Sequence, residues 1–456
     1  MRAPVAWALA AFALCAGFAR GAASLDAKRA AEIDAVAQEW LRTTGAPSVS
    51  VAIAEHGELV YAHAFGAAKL GAVPEPATSA SKYPVDSVSK EFTAAALLIL
   101  QQRHQLSLDD RLEKWFPELK EAKAVTLRQL LNHTSGIRDY WPQDFVTPEM
   151  SHPVEVGALI REWAARPLDF EPGTDWQYSN TNYVLAGAVV ERVAGKPLLE
   201  FLKDTVFLPL RMQNVVPREA VDTAGYTRFG LGATVAAPFE AQGWLFGAAG
   251  LAMPAADLIA WDLSLMNRSL LDSKSYDALF DPVVLKNGTL KPYALGLAVE
   301  RIDGRLQISH GGAGSGFLAE NSLWPEQKIA IAVFTNNDWA SPSELRERLD
   351  FIMLPPSKPQ ARAAALFRSM QQGTVDRSQF SAVGNFGLSD AALKDLHSSL
   401  GGLGPARLIA LERESQRGGL TTRIWKILCA DARLQAVERS RPDGQFDEFM
   451  VTLRQD

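Results

Sequence analysis

The residue pattern that carries the most chemistry is a serine followed three positions later by a lysine, and the chain contains it twice. A serine hydroxyl becomes a useful nucleophile only when a neighbouring group takes its proton. Residues three apart meet only where the segment is helical. Ser79-Ala80-Ser81-Lys82 runs directly into Tyr83-Pro84, and a proline disfavours helical geometry in the residue before it, so Ser79 and Lys82 do not share a helical face. Ser87-Val88-Ser89-Lys90 instead opens the run 91–100, which is rich in Ala and Leu and a strong helix former. At the start of that helix Ser87 would have oriented backbone N–H groups beside it, suited to developing negative charge. The bland alternative is a capping serine followed by a surface lysine.

Two further triplets follow in order. Of the eight tyrosines only Tyr178 begins a Tyr-x-Asn, as Tyr178-Ser179-Asn180, and of the seven histidines only His310 begins a His-x-Gly, as His310-Gly311-Gly312 at the end of a predicted strand. Each triplet alone is common; their order, with a helix after Ser87 and a strand before His310, is far more specific. With these motifs the sequence resembles the penicillin-recognising serine hydrolases, the group of class C β-lactamases, D-alanyl-D-alanine carboxypeptidases and related esterases. The likeness runs over 27–339 and includes framework stretches at 127–136 and 250–257. The resemblance implies that Ser87 is the acylated nucleophile and Lys90 its helical partner. It implies that Tyr178 and Asn180 form the second motif and His310, Gly311 and Gly312 the third. It also implies an oxyanion hole from the backbone N–H groups of Ser87 and Ala313.

Elementary chemistry fits those roles. A desolvated Lys90 would be partly neutral and able to accept the serine proton; alternatively Tyr178 is the base, its phenolate favoured by the nearby cation. Asn180 would hold the lysine and a substrate amide, and two backbone donors aimed at the tetrahedral oxygen would supply a few kcal/mol each. The third motif departs from the Lys-Thr-Gly usual among β-lactamases of this group. An imidazole near neutrality replaces a permanent cation for a substrate carboxylate. This favours a D-amino-acid peptidase, carboxypeptidase or esterase over efficient antibiotic hydrolysis. β-Lactamase activity, or a non-catalytic receptor for cell-wall peptide or β-lactam on the same scaffold, are the alternatives. His133 is expected to satisfy a helix-to-loop hydrogen bond, and Tyr140, Trp141 and Trp176 to serve packing or framework. Gly-x-Gly-x-x-Gly, His-Glu-x-x-His, Gly-x-Ser-x-Gly and Cys/His clusters are all missing from the sequence, so neither a metal nor an organic cofactor is expected. The expected substrate is a small ester, amide or peptide.

The elements that must position these groups are legible as a pattern. A helix is expected near 27–42, and strands at 49–54 and 58–65 joined through His56-Gly57. A mostly helical tract follows over 87–271, then strands at 294–302, 306–310, 316–324 and 329–335. The simplest closure is an α+β fold, one antiparallel sheet built from both ends of the tract with helices packed on it and a helical lobe beside it. The Pro-rich segment 355–360 reads as a linker between a hydrolase domain over 24–354 and a small α+β domain over 361–456. In that tail, helices at 361–371 and 390–400 precede strands at 407–414, 420–429, 434–440 and 446–453. That order resembles the cone-shaped NTF2-like and cystatin-like domains, a fold-level analogy.

Composition narrows the class. With 456 residues, 47% hydrophobic and 21% charged, the chain can build a sizeable core, and its net charge of −6 argues against a nucleic-acid partner. Arg2 followed by the apolar run 6–18, Arg20 and Gly21-Ala22-Ala23 reads as a signal peptide over 1–23. The mature protein is therefore expected in the periplasm or secreted. Cys15 would leave with the signal, and the bulky Leu14 before it disfavours a lipoprotein anchor. Cys429 then remains as a lone thiol with no internal disulfide to make.

Overall fold

A computed structural model describes residues 25–143 and 145–454; the signal expected over 1–23 lies outside them. The first helix, α1 (Ala27–Thr44), is capped by the Asp26 side chain and ends at Gly45 in the left-handed conformation. Strand β1 (Ser48–Glu55) turns into β2 (Glu58–Lys69) through His56 and Gly57, whose φ values of 54° and 89° are those of a tight hairpin turn. Late in the chain come β3 (Ala298–Ile302), β4 (Arg305–Gly314), β5 (Phe317–Trp324) and β6 (Ile329–Thr335). They join β1, β2 and the short strand Glu75–Pro76 in a seven-stranded antiparallel sheet. Its order is Glu75–Pro76, β2, β1, β6, β5, β4, β3. The centre is the β1–β6 ladder, with Val49 opposite Thr335 and Val51 opposite Val333. Both strands are buried along almost their whole length because they are covered on two faces.

One face carries α2 (Ser89–Gln102), α3 (Asn180–Ala194) and α4 (Ala255–Asn267) within the largest core cluster. The other face carries α1 and α5 (Pro342–Met353), which close a second core around Ile33, Trp40, Val51, Ile331 and Leu345. Helix α2 is buried on every side from Ser89 to Leu100, and within that stretch it is apolar on all faces from Ala94 onward. It is the central post of the molecule.

Two local expectations are corrected. Strand character was expected to stop at His310, but β4 continues to Gly314, because β5 supplies a ladder from His310 opposite Asn321 to Gly314 opposite Phe317. Strand β3 pairs only with the Arg305–Ser309 part of β4, so the outer edge over 310–314 faces the helical lobe. Ser87 does not open α2 itself. It occupies the 3-10 turn Asp86–Val88 just before it.

Between α5 and the next helix only residues 354–357 are non-helical, since α6 (Lys358–Gln372) begins with Pro359 inside its first turn, where a missing N–H costs nothing. Then come α7 (Asp390–Leu400) and a four-stranded antiparallel meander of β7 (Leu408–Arg417), β8 (Leu420–Leu428), β9 (Arg433–Ser440) and β10 (Phe446–Leu453). This tail has its own core around Phe367, Met370, Trp425, Ile427 and Phe446. It meets the larger body through Arg407 to Glu39 at 2.8 Å and through Lys426 to Glu347 on α5.

Under α2, Glu91 and Asp262 share the side chain of Asn321, at 3.2 Å and 2.9 Å, and Glu91 also accepts the Trp261 indole N–H at 2.7 Å. Burial pushes Glu91 up to about 8, and burial followed by the charge of Glu91 pushes Asp262 well up. The folded protein therefore keeps protons that the unfolded chain releases near pH 4.5. The associated stability is full below that pH and is lost as pH rises towards 8. Glu91→Gln keeps the acceptor and removes the titration. Its Tm should fall less than wild type between pH 6 and 8.5, by about 3 °C or more in differential scanning calorimetry; parallel curves would refute the assignment.

Candidate active site

The turn that presents Ser87 is set by its neighbours. The short strand Tyr83–Pro84 pairs with Leu251–Met253, and the Val85 N–H continues that contact to the Leu251 carbonyl at 3.1 Å. Asp86 then takes φ 44°, an uncommon left-handed conformation for a residue with a side chain. One turn on, the fully buried Lys90 points back. Its Nζ donates to Ser87 Oγ at 3.1 Å, Asn180 Oδ1 at 2.9 Å and the Ala248 carbonyl at 2.9 Å. The orientation of the Asn180 amide follows from its partners. Its Nδ2 donates to Asp139 Oδ2 at 3.2 Å, leaving Oδ1 for the ammonium, and its backbone N–H donates to Asp139 Oδ1 at 3.0 Å.

Tyr178 immediately precedes Ser179, the residue that starts α3. Its ring centroid lies 4.8 Å from Lys90 Nζ and 4.4 Å from the His133 ring, the two rings tilted by 38°. His133 Nδ1 accepts the Ser179 N–H at 3.2 Å, so the expected helix-to-loop hydrogen bond exists and holds the Tyr178–Asn180 segment. His310 Nδ1 lies 2.6 Å from the Gly311 carbonyl, which can only accept, so Nδ1 carries the proton and Nε2 accepts from the Tyr293 hydroxyl at 2.9 Å. Burial, then the charge of Lys90, pulls His310 down to about 3, and the same causes hold His133 well down. Both imidazoles are neutral at pH 7, and the third motif offers a substrate carboxylate no cation of its own.

Strand β4 passes this turn so closely that only glycine fits. A Cβ on Gly312 would stand 2.1 Å from the Val85 carbonyl, and one on Gly314 would stand 2.6 Å from Asp86 Oδ1. Ser87, Trp141, Tyr178, Asn180, His310, Gly311, Gly312 and Ala313 line one cleft of about 430 Å³. Every residue singled out by the three motifs except the buried Lys90 is thus on its wall, and Lys90 bonds to two of them. Trp141, expected as framework, also lies on that wall. A larger cavity of about 770 Å³ in the helical lobe is lined by Ser89 and Arg218 but by none of Ser87, Lys90, Tyr178, Asn180 and His310, so volume alone does not locate the chemistry. The second Ser-x-x-Lys is elsewhere, with Ser79 exposed in a turn and Lys82 paired to Asp222 at 2.9 Å.

Sequence reasoning missed four residues that support the site: Asp139, Arg218, Glu240 and Tyr293. Arg218 joins Asp86 at 2.7 Å and Glu240 at 2.7 Å, all three buried. Burial raises Asp86 to about 6, against the pull of Arg218. No local spacing announces these partners, which are long-range. If the packing of Gly312 on Val85 sets the cleft, Gly312→Ala should cut covalent labelling of Ser87 by roughly 100-fold or more, measured by the rate of fluorophosphonate incorporation. In the wild-type protein the His310 imidazole resonance should also show no titration step between pH 5 and 8.

Comparison with known proteins gives the family. The family model described as Beta-lactamase matches residues 33–351. A penicillin-binding protein of Bacillus subtilis is 30% identical over 310 residues, covering 63% of this chain and 68% of that protein. A D-aminopeptidase of Brucella canis is 30% identical over 326 residues, covering 69% of this chain, which spans 61% of that relative's length. The crystal structure of a D-stereospecific amidohydrolase from Streptomyces sp. superposes with a TM-score of 0.60 at 25% identity, over 70% of this chain and 98% of that one. The family match and the sheet-and-helix architecture agree, and the chain belongs to the beta-lactamase family, as a serine hydrolase of the β-lactamase and penicillin-binding-protein group.

Proposed function

We propose that the protein is an exported hydrolase that opens the amide or ester bond of a D-amino-acid derivative through an acyl-enzyme on Ser87. The observation that carries the reading is the Lys90 ammonium bridging Ser87 Oγ and Asn180 Oδ1 in a buried position. Lys90 Nζ is held between the Asn180 Oδ1 and Ala248 carbonyl oxygens and lies 3.1 Å from Ser87 Oγ. Tyr178, starting as the phenolate beside Lys90, is the base in this reading. The Ser87 oxygen attacks the substrate carbonyl, its proton passes to Tyr178, and Tyr178 returns it to the departing amine or alcohol. Water then repeats the sequence on the ester. The backbone N–H groups of Ser87 and Ala313 hold the oxyanion, and the Asn180 side chain and the β4 edge orient the substrate.

The choice among substrates follows from charge. A β-lactam or a peptide with a terminal carboxylate needs a cation at the third motif, and His310 is neutral there. Substrates whose reacting end lacks a carboxylate fit better. The names of two relatives, a D-aminopeptidase and a D-stereospecific amidohydrolase, point the same way. The reading of 1–23 as a signal peptide supports export.

A panel of D-alanine p-nitroanilide, its L enantiomer, short-chain p-nitrophenyl esters, a peptide ending in D-alanine and nitrocefin tests this. The D-anilide and the esters should turn over, and nitrocefin should react at least tenfold more slowly. Ser87→Ala should abolish turnover, and Tyr178→Phe should lower it by about 10²- to 10⁴-fold. An adduct mapped by mass spectrometry to any residue other than Ser87, or preference for nitrocefin, would sink the proposal.

A further inference from the structure

Two backbone N–H groups can share one substrate oxygen only if the segments carrying them keep a fixed separation. Ser87 lies on the turn before α2 and Ala313 on β4, with no strand ladder joining them. We propose that Arg218 is a positioning residue that sets the width of the oxyanion hole, a single buried guanidinium tying the turn of Ser87 to the end of the strand that carries Ala313. The inference rests on the reading of Ser87 as nucleophile and Ala313 as oxyanion donor.

The link runs through a hydrogen bond, an ion pair and a backbone hydrogen bond. Asp86, the residue before Ser87, accepts from Arg218 Nε at 2.7 Å. Arg218 Nη1 pairs with Glu240 Oε2 at 2.7 Å, and Glu240 Oε1 accepts the backbone N–H of Ser315 at 3.0 Å. Ser315 stands two residues after Ala313, where β4 turns into β5. The strand between them presses on the same pair of groups. A Cβ on Gly314 would meet Asp86 Oδ1 at 2.6 Å and Arg218 Nη2 at 2.7 Å.

Arg218 is itself anchored. Its backbone N–H donates to the Gly250 carbonyl at 3.0 Å, next to the Leu251 carbonyl that receives the Val85 N–H. Its guanidinium also lies 4.2 Å over the Phe239 ring. The three charged side chains are 0–3% exposed. A planar fork of donors spans two carboxylates at once, which the point charge of a lysine does not do. Buried ion networks contribute little net stability over apolar packing of the same volume, and in some proteins they fix geometry instead. Here the geometry fixed is the left-handed Asp86 and the turn at Ser315.

The discriminating variant is Glu240→Ala. It cuts the tie to Ser315 yet leaves Arg218 neutralised by Asp86, so no lone buried charge results. The acylation rate constant with p-nitrophenyl butyrate should fall roughly 10- to 100-fold. The affinity for phenylboronic acid, whose tetrahedral adduct places an oxygen in the same hole, should fall in parallel. Glu240→Gln keeps one acceptor oxygen for Ser315 but turns an NH2 towards the Arg218 guanidinium, so it should recover only part of the loss. Arg218→Lys, which keeps the charge but cannot bridge, should behave like Glu240→Ala.

A purely structural role predicts a lower Tm with unchanged acylation and boronate affinity per folded molecule, and that result overturns the proposal. Should Glu240→Ala fail to fold, the same two measurements on Arg218→Lys and Glu240→Gln decide, and wild-type values in Arg218→Lys overturn it. Mapping the adduct in the wild-type protein separates the two readings. Label away from Ser87 defeats the nucleophile assignment and this inference with it, whereas label on Ser87 with unaltered variant kinetics defeats the inference alone.

Discussion

A primary ammonium cannot sit in a protein interior without acceptors, and the cleft is organised around giving Lys90 three of them. Removing such a group from water costs several kcal/mol, which only good geometry offsets. Each acceptor comes from a different part of the chain: the Ser87 hydroxyl from its own turn, Asn180 from the start of α3, and the Ala248 carbonyl from the short helix Phe246–Ala249 ahead of Leu251–Met253. Asp139 stands behind Asn180 and places negative charge one side chain away. The reach of the cation extends to both histidines, which its field helps keep unprotonated. One buried charge therefore aligns the serine, orients the amide and fixes the character of the third motif.

Helix α2 separates two electrostatic worlds. Lys90 faces the cleft, whereas Glu91, the next residue, turns to the sheet and meets Asn321 and Trp261. Consecutive helical positions are rotated about 100° apart, so adjacent ionisable groups need not meet. Dry surroundings favour the proton-bearing carboxyl of Glu91, whereas Lys90 Nζ is surrounded by three oxygens. Asn321 sits opposite His310 in the β4–β5 ladder. The strand that carries the third motif is thus tied from below to the helix that carries the first.

What the sequence revealed and what it hid divide by range. Ser87 and Lys90 were legible because three residues of helical spacing are a local fact, and Pro84 disqualified the rival pair on equally local grounds. Tyr178, Asn180, His310 and Gly312 were legible as ordered triplets, and the structure brings them to one cleft. Asp139, Arg218, Glu240 and Tyr293 were not, since each acts through a partner far along the chain. The strand over 311–314 escaped notice because glycine has poor β propensity, and only the ladder with β5 and the close pass by Val85 and Asp86 explain it. Ser87 was placed one step too far into the helix, because nothing local signals the left-handed turn at Asp86. The sheet order could be guessed from strands at both ends, but the start of α6 could not, as Pro359 is tolerated in a first turn.

The central ladder joins β1, among the earliest elements, to β6, among the last of the larger body, with Val49 paired to Thr335. The helical lobe is enclosed between them, so neither half of the sheet can complete its hydrogen bonds until the other has been made. Long-range pairing of this kind delays folding, because the entropy of closing the loop comes before any reward. A nascent chain of this design would stay open and threadable until nearly the entire body had emerged from the ribosome.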